Sequence, residues 1–185
     1  MKSKEKTILI CSNYAWTVYN FRLSLISFLK KNGYRVEVLT EFDGYEAKFA
    51  DEVDAIHPLF ISRDGINPVT DLLTVLSILK KLFLIKPDIY FAFSIKPVIY
   101  GSMAANILRI PSIVMITGLG TGFLLDNWVT RVIKFLYRFS LKTCSTVFFQ
   151  NADDRNLFIE NNLIPPSIAK QTPGSGIDLN TYKYR

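Results

Sequence analysis

The pattern that most constrains the fold is a recurrence: a short apolar run ends in a polar, glycine-rich or aromatic segment, and a longer helical pattern follows. Such junctions come directly after Cys11, Phe93, Ile116 and Phe149. Short runs rich in β-branched and aromatic residues that alternate with helical patterns are typical of βαβ units and a parallel sheet. The carboxyl ends of parallel strands meet at one edge of the sheet, where ligands bind. The sequence therefore predicts an α/β fold with its functional residues at one edge.

The alternation also gives approximate element positions. Strands are expected near residues 7–11, 34–40, 54–60, 88–93, 112–117 and 145–150. Helices are expected near residues 18–32, 45–52, 67–85, 97–108, 127–142 and 152–161. Gly33 after two lysines indicates a helix end, and Asn151 with Asp154 resembles a capping box with Asp in place of Glu.

Chain length and apolar content favour one domain without a membrane span. The chain has 185 residues, of which 49% are hydrophobic and 21% are charged. The longest apolar stretch, residues 72–85, is interrupted by Lys80 and Lys81, so it lacks the roughly 20 apolar residues that a spanning helix needs. The first apolar run is too short for a secretion signal. We expect a cytoplasmic protein, either free or in peripheral contact with the inner face of the cell membrane.

Several chemistries have little support in the sequence. Cys11 and Cys144 lie in apolar runs without metal-ligand or redox spacing, so we expect reduced core thiols, no metal site and no cofactor. His57 is the single histidine and precedes Pro58 late in a strand, so nucleophilic Ser/His or Cys/His catalysis is poorly supported. Neither the dinucleotide fingerprint nor a P-loop is present.

The net charge of +6 fits an anionic partner. Charge alone leaves nucleic acid, an anionic membrane surface and a phosphorylated substrate open. The helix near residues 127–142 carries a basic stripe beside an apolar face. The stripe consists of Arg131, Lys134, Arg138 and Lys142, and the apolar face of Val132, Phe135, Leu136 and Phe139. Such a helix either lies on anionic lipid or faces the core with a solvated stripe.

Two cations lie where helix electrostatics disfavours them. Lys96 immediately precedes Pro97 at a predicted helix start, and Arg22 is placed in the first turn of another helix. The positive end of the helix dipole makes a cation there unfavourable by about 0.3 to 1 kcal/mol. A bound phosphate, held jointly by the cation and the helix amides, would compensate. Alternatively, each side chain bends into solvent or pairs with a local carboxylate.

Two further segments have binding chemistry. Residues 117–122 carry glycines at alternate positions, which allow backbone amides to approach a ligand or permit a flexible loop. Residues 13–22 combine aromatic rings, amides and a cation, a set that suits sugar rings or an apolar chain with a polar head. The candidate substrate-binding residues are Asn13, Tyr14, Trp16, Asn20, Arg22, Lys96, Thr117, Gly118, Gly120, Gln150 and Asn151.

Taken together and in order, the junction segments resemble a known family. The segments are residues 12–22, 94–97 with 100–102, 117–120, 150–151 with 153–154, and 174–179. They are similar to the N-terminal domain of retaining GT-B glycosyltransferases, and more narrowly to the bacterial branch, glycosyltransferase family 4-like, that extends polyprenyl-diphosphate-linked or surface polysaccharide sugars. The resemblance implies a Rossmann-like parallel sheet with helices on both faces, one half of a GT-B architecture.

The resemblance also implies a division of labour. Residues 1–173 are expected to form the acceptor-binding domain, and residues 174–185 to begin a linker to a second Rossmann-like domain that binds the nucleotide-sugar donor. Lys96 and Arg22 would meet the acceptor's phosphates, and Asn13, Tyr14 and Gln150 would contact sugars. We expect no nucleic-acid partner. No catalytic residue is assigned, because retaining members of the family need no nucleophile from this domain.

Two hypotheses remain. The first is the acceptor half of a glycosyltransferase, inactive by itself, that moves a sugar from a nucleotide-sugar to a lipid-linked or saccharide acceptor. The second is a non-catalytic Rossmann-like binding module or membrane-anchoring subunit that recruits a separate donor-binding chain.

Overall fold

A computed structural model describes residues 5–61, 67–119, 123 and 128–176. Its centre is a seven-stranded sheet with the strand order β3-β2-β1-β4-β5-β6-β7, in which every neighbouring pair is parallel. The strands are β1 (Thr7–Tyr14), β2 (Arg35–Glu41), β3 (Ala55–Pro58), β4 (Ile89–Phe93), β5 (Ser112–Ile116), β6 (Thr146–Phe149) and β7 (Ala169–Gln171). The predicted parallel α/β sheet is confirmed.

Helices cover both faces of the sheet. They are α1 (Ala15–Phe21), α2 (Leu23–Lys31), α3 (Pro68–Ile85), α4 (Ser102–Ile107), α5 (Trp128–Leu141) and α6 (Ala152–Glu160). A π-helical turn at Pro97–Gly101 precedes α4, and short 3-10 turns lie at Glu46–Lys48, Ala50–Glu52 and Pro166–Ile168.

The side chains of strand β1 contribute to two apolar cores, one on each face of the sheet. Ile8 and Ile10 point to the layer that holds α1 and α2, whereas Leu9 and Cys11 point to the layer that holds α3, α4, α5 and α6. Successive side chains of a strand alternate between faces, so a strand covered on both sides reads as a continuous apolar run. Cys11 and Cys144 are buried and unbridged, as expected.

The helix-end signals are confirmed. Gly33 follows α2 with a φ of 79°, in the left-handed region that favours glycine. The Asn151 side chain accepts a hydrogen bond from the Asp154 amide at 2.7 Å, and its Nδ2 donates to the Asp154 carboxylate at 3.0 Å. This is the reciprocal arrangement of a capping box.

Four features of the structure differ from the predicted elements. Strand β1 continues to Tyr14 rather than ending near residue 11, and the helix begins at Ala15 rather than near residue 18. That helix is also interrupted at Arg22, whose φ of −124° is not helical. Residues 45–52 form two 3-10 turns instead of one helix, with Phe49 their one fully buried side chain. Strand β7 was not predicted, because Ala169 is its single buried residue and no alternation is visible.

Tyr90 on β4 stabilises the π-helical turn from the core side. The Tyr90 hydroxyl is fully buried and donates a hydrogen bond to the Pro97 carbonyl at 3.0 Å. Gly101 closes the turn directly above this ring, and a Cβ at Gly101 would overlap the Tyr90 hydroxyl. The close approach of backbone to ring therefore requires glycine at this position.

We expect Gly101→Ala to lower the free energy of unfolding by about 1 to 3 kcal/mol, because the added methyl group overpacks a rigid core site. Chemical denaturation measures this change. Asn106→Ala, an exposed position in α4, is the matched control and should stay within about 0.5 kcal/mol of the parent. Equal midpoints for Gly101→Ala and the parent would show that the turn can shift to make room.

Candidate functional site

A cavity of about 590 Å³ opens at the carboxyl ends of β1, β4, β5 and β6. Strands β1 and β4 are neighbours at which the strand order reverses, and ligands of open α/β sheets bind in the crevice at such a switch point. The described wall consists of Ser12, Thr17, Phe21, Arg22, Phe93, Ser94, Thr117, Gln150, Pro173, Gly174, Ser175 and Gly176. The predicted functional edge is thus the edge that carries the cavity.

Arg22 occupies the break between α1 and α2 and is 6% exposed. Its Nη1 donates to the Phe21 carbonyl at 3.1 Å and to the Ser175 hydroxyl at 2.9 Å. The guanidinium carbon lies 4.0 Å from the centroid of the Phe93 ring, within the range of a cation–π contact. The side chain is therefore held on one side by a ring and on another by neutral oxygens.

No carboxylate compensates this charge among the described residues, since the ion pairs found there do not include Arg22. Burial lowers the pKa of Arg22 to about 10, because desolvation disfavours the charged form. The guanidinium nevertheless stays charged at neutral pH. Its Nε is buried and has no hydrogen-bond partner among the described residues. A desolvated fork with free donor capacity is suited to a phosphate or carboxylate, which it can bind in bidentate geometry.

The other polar groups of the described wall are neutral. The Ser12 and Thr17 hydroxyls share a hydrogen bond at 2.6 Å. The Gln150 side-chain amide donates to the same Ser175 hydroxyl that receives Arg22. Ser94 follows β4 with a φ of 70°, a left-handed conformation that costs a non-glycine residue about 1 to 3 kcal/mol and that recurs at functional sites.

Residues 173–176 return across the sheet edge and close the cavity. The Thr172 amide donates to the Phe149 carbonyl at 2.8 Å, and Gly174 and Gly176 both have positive φ. Residues 174–176, the first part of the predicted linker, therefore form a wall of the site, while residues 177–185 lie outside the described residues.

The structure brings three of the predicted site residues together in the wall: Arg22, Thr117 and Gln150. Trp16 and Asn20 are on α1, the helix that also carries Thr17 and Phe21 of the wall. Trp16 is 43% exposed with its ring edge against Phe21, and Asn20 donates to the Trp16 carbonyl at 2.8 Å.

The remaining predicted site residues are not among the described wall residues. Tyr14 precedes α1, where its carbonyl accepts a bond from Thr17, and the Oδ1 of Asn13 is buried without a partner in the described chain. Gly118 follows β5 and is outside the described wall, and Gly120 lies outside the described residues. Asn151 caps α6.

Lys96 forms an ion pair with Asp71 of α3, with 2.9 Å between Nζ and Oδ1. Both side chains are largely buried, and Tyr100 hydrogen-bonds the same carboxylate, which contributes to a pKa of Tyr100 raised mainly by burial. Lys96 thus pairs with a carboxylate, which is one of the two alternatives to phosphate binding given above. It is not among the described wall residues of the cavity. A role of Lys96 toward substrate stays a prediction.

His57 is a structural residue of β3. Its Nε2 lies 2.7 Å from a Glu37 carboxylate oxygen on β2. Burial opposes the ionisation of Glu37, but hydrogen bonds from His57 and Arg35 outweigh it and lower the Glu37 pKa. In the part of the chain that the structure describes, no cluster of three or more histidine, cysteine or acidic residues could hold a metal ion.

Several residues of the described wall are not among the predicted site residues. Ser12 and Ser94 belong to the junction segments, whereas Phe93 is in a predicted core strand and Ser175 in the predicted linker. The available signal for Ser175 was its position between Gly174 and Gly176, since glycine-rich segments allow backbone to approach a ligand closely.

Comparison with known proteins gives matches over most of the chain. The family model for "Glycosyl transferase 4-like" proteins matches residues 7–151. A Campylobacter jejuni protein described as N,N'-diacetylbacillosaminyl-diphospho-undecaprenol alpha-1,3-N-acetylgalactosaminyltransferase is 29% identical over 158 residues, which are 80% of this chain and 42% of that protein.

Solved structures share the fold. Anabaena HepE, in complex with UDP and glucose, has a TM-score of 0.66 at 19% identity over 96% of this chain and 46% of its own. Neisseria meningitidis UDP-GlcNAc 2-epimerase, bound to UDP-GlcNAc, has a TM-score of 0.64 at 17% identity over 90% of this chain and 46% of its own. The chain thus spans less than half the length of these relatives. The family match and the Rossmann-like sheet agree with the resemblance seen in the junction segments, and the chain belongs to the glycosyl transferase 4-like family.

Proposed function

We propose that this chain is the acceptor-binding part of a retaining glycosyltransferase that moves a sugar from a nucleotide-sugar to a polyprenyl-diphosphate-linked or surface polysaccharide acceptor. The observation that carries the proposal is the buried, uncompensated guanidinium of Arg22 in the cavity at the switch point. The Campylobacter relative is named for a diphospho-undecaprenol-linked substrate, and a diphosphate is an anion of the kind that such a site favours.

The chemistry of the wall supports this ligand class. Arg22 is the one charged residue among the described wall residues, so nothing described there repels an anion. The hydroxyls of Ser12, Thr17 and Ser94 and the Gln150 amide can exchange hydrogen bonds with sugar hydroxyls. Phe21 and Phe93 offer apolar surface beside them. One cation, several neutral polar groups and two rings suit a phosphorylated saccharide.

The donor is held elsewhere in this proposal. HepE and the Neisseria epimerase bind UDP or a UDP-sugar and are more than twice as long as the part they share with this chain. We infer that a second Rossmann-like domain beyond residue 173 binds the nucleotide-sugar. The transfer proceeds with retention in a cleft between the two domains, to which this chain contributes the acceptor wall.

An acceptor carried by a lipid requires the enzyme to work at a membrane surface. In the described ranges, no helix is long and apolar enough to cross a membrane. We therefore propose peripheral contact with the cytoplasmic face of the membrane rather than insertion.

We expect Arg22→Met, tested in the complete enzyme, to weaken a diphosphate-linked acceptor by about 1.5 to 3 kcal/mol, the scale of a hydrogen bond to a charged group. Steady-state kinetics with varied acceptor measure the effect. The same variant should keep or raise the free energy of unfolding, because an apolar side chain replaces a buried charge. Arg22→Lys should recover part of the affinity, since it restores the charge without the fork.

Lys170→Met removes an exposed charge far along the sheet and is the matched control. It should leave acceptor kinetics unchanged. If Arg22→Met destabilised the fold while acceptor kinetics stayed at the parent value, Arg22 would be a structural residue and the proposal would lose its main support.

We expect Lys96→Met to lower the free energy of unfolding by about 3 kcal/mol, because it leaves the buried Asp71 carboxylate unpaired. Changing Asp71→Leu as well should restore much of the stability, and thermal denaturation of the single and double variants measures the coupling. Unchanged stability combined with a raised KM for acceptor would instead assign Lys96 to substrate binding.

Residues 1–185 alone should not transfer sugar, because donor recognition is proposed to reside outside them. The assay combines this chain with a panel of nucleotide-sugars and lipid-linked acceptors. Robust turnover by this chain would refute the division of labour. Turnover that appears only on addition of a separate donor-binding chain would support the two-subunit hypothesis.

A further inference from the structure

Ser94 joins strand β4 to the π-helical turn in a strained backbone conformation. Its φ of 70° lies in the left-handed region, which a residue other than glycine keeps only where its surroundings hold it there. Phe93 before it is buried in the core, whereas Ile95 after it is 38% exposed. Apolar packing therefore fixes the chain up to Phe93 and contributes less at Ile95, where the chain leaves the strand.

Polar contacts hold the segment that follows Ser94. The Val98 amide donates a hydrogen bond to the Ser94 carbonyl at 3.0 Å, and the buried Tyr90 hydroxyl donates to the Pro97 carbonyl at 3.0 Å. These two bonds fix the π-helical turn to its own first residues and to β4. The ion pair of Lys96 fixes the same segment to α3, a separate element of the fold.

Asp71 is held firmly enough by its own helix to anchor this pair. The Asn67 side chain caps α3 by accepting from the amides of Val69 and Thr70 at 3.0 and 3.4 Å. Asp71 lies in the first turn of this capped helix, where the positive end of the helix dipole stabilises a carboxylate. The Asp71 carboxylate is also buried, so the helix backbone and the surrounding side chains fix its position.

Two donors share the Asp71 carboxylate. Lys96 Nζ donates to Oδ1 at 2.9 Å, and the Tyr100 hydroxyl hydrogen-bonds the same carboxylate. Burial, together with this hydrogen bond, raises the pKa of Tyr100, so its phenol is a protonated donor at neutral pH. Lys96 precedes the π-helical turn and Tyr100 lies within it, so the turn is attached to α3 at two points. We call Asp71, Lys96 and Tyr100 the anchor cluster.

Stability alone does not explain the anchor cluster. A buried ion pair contributes little more to stability than well-packed apolar residues of the same volume, because desolvation offsets its Coulomb attraction. An ion pair differs from apolar packing in fixing the direction as well as the distance of its two groups. Ser94 lies in the cavity wall, two residues before Lys96. Strained residues and π-helical turns both recur at functional sites, and here the two are joined by a directional contact.

We propose that the anchor cluster positions Ser94 on the cavity wall and that the Ser94 hydroxyl contacts the acceptor. Lys96, Asp71 and Tyr100 are then positioning residues, which act on the acceptor through Ser94 and do not touch it. This role differs from the direct phosphate contact that the sequence predicts for Lys96. The inference rests on the proposed function for the identity of the ligand, whereas the backbone conformation of Ser94 is measured without it.

The first measurement follows the Ser94 backbone in the full chain by NMR. A positive φ gives a strong nuclear Overhauser effect between the amide proton and the Hα of the same residue. The double variant Lys96→Met with Asp71→Leu replaces the ion pair by apolar side chains, so its melting temperature should stay close to that of the parent. Ser94 should nevertheless lose the strong effect. Lys30→Met is the matched control, because it removes the ion pair with Asp54, 3.3 Å long, at the end of α2, and it should leave the Ser94 signal unchanged.

The second measurement is a double-mutant cycle in the complete enzyme, with a diphosphate-linked acceptor varied. Ser94→Ala removes the hydroxyl and should raise the acceptor KM about two- to tenfold, the scale of one neutral hydrogen bond, with kcat unchanged. The apolar pair at positions 71 and 96 should raise KM by a similar factor. Adding Ser94→Ala to the apolar pair should raise KM no further, because both changes remove the same contact.

Loss of the Ser94 signal together with non-additive effects on KM is the expected result. Additive effects would overturn the proposal, because Lys96 would then act on the acceptor independently of Ser94. It would also be overturned by a parent KM for Ser94→Ala, or by a strong Ser94 signal that persists in the apolar pair. A complete enzyme that transfers no sugar would refute the proposed function and with it the acceptor contact of Ser94, whereas the NMR result would still decide whether the anchor cluster positions this residue.

Discussion

The pairing of β1 with both β2 and β4 is the interaction on which the rest of the structure depends. Residues 8–11 are in parallel register with both neighbours, and their side chains alternate between two helical layers. From β1 the chain builds the sheet first in one direction and then in the other, so the connections on the two sides diverge above its carboxyl end. The cavity lies between these diverging connections, so it follows from the strand order.

In the proposed function, Arg22 is the residue of this cavity that would bind an anion. The break between α1 and α2 directs the guanidinium over the Phe93 ring instead of into solvent. Desolvation of a charge is unfavourable, and the free chain recovers only part of this cost through neutral oxygens and a ring. An anion bound next to the guanidinium would offset the remaining desolvation free energy of Arg22, and this gain would contribute to the binding free energy. Because the charge is already positioned, little side-chain entropy is lost on binding.

The sequence was sufficient for the architecture because strands buried on both faces leave continuous apolar runs, and parallel strands place every junction at one edge. It was insufficient wherever a residue's environment comes from distant chain. Lys96 and Arg22 carry the same local signal, yet Asp71 neutralises only Lys96. Likewise, Asn151 was predicted both as a helix cap and as a substrate contact, and the structure shows the cap. The short strand β7 carries one buried residue, too little apolar alternation to be recognised.

The hydrogen bond from Arg22 to Ser175 joins residues 153 positions apart. The wall of the site is therefore complete only after residue 175 has been synthesised. While the chain emerges from the ribosome, β1 and the arginine come first, and the cationic pocket stays open until β6 and β7 have been added and residues 173–176 fold back over it. Domains generally fold as units during synthesis. A nascent chain stopped before residue 173 would therefore have all seven described strands but would leave the Arg22 guanidinium without its Ser175 partner.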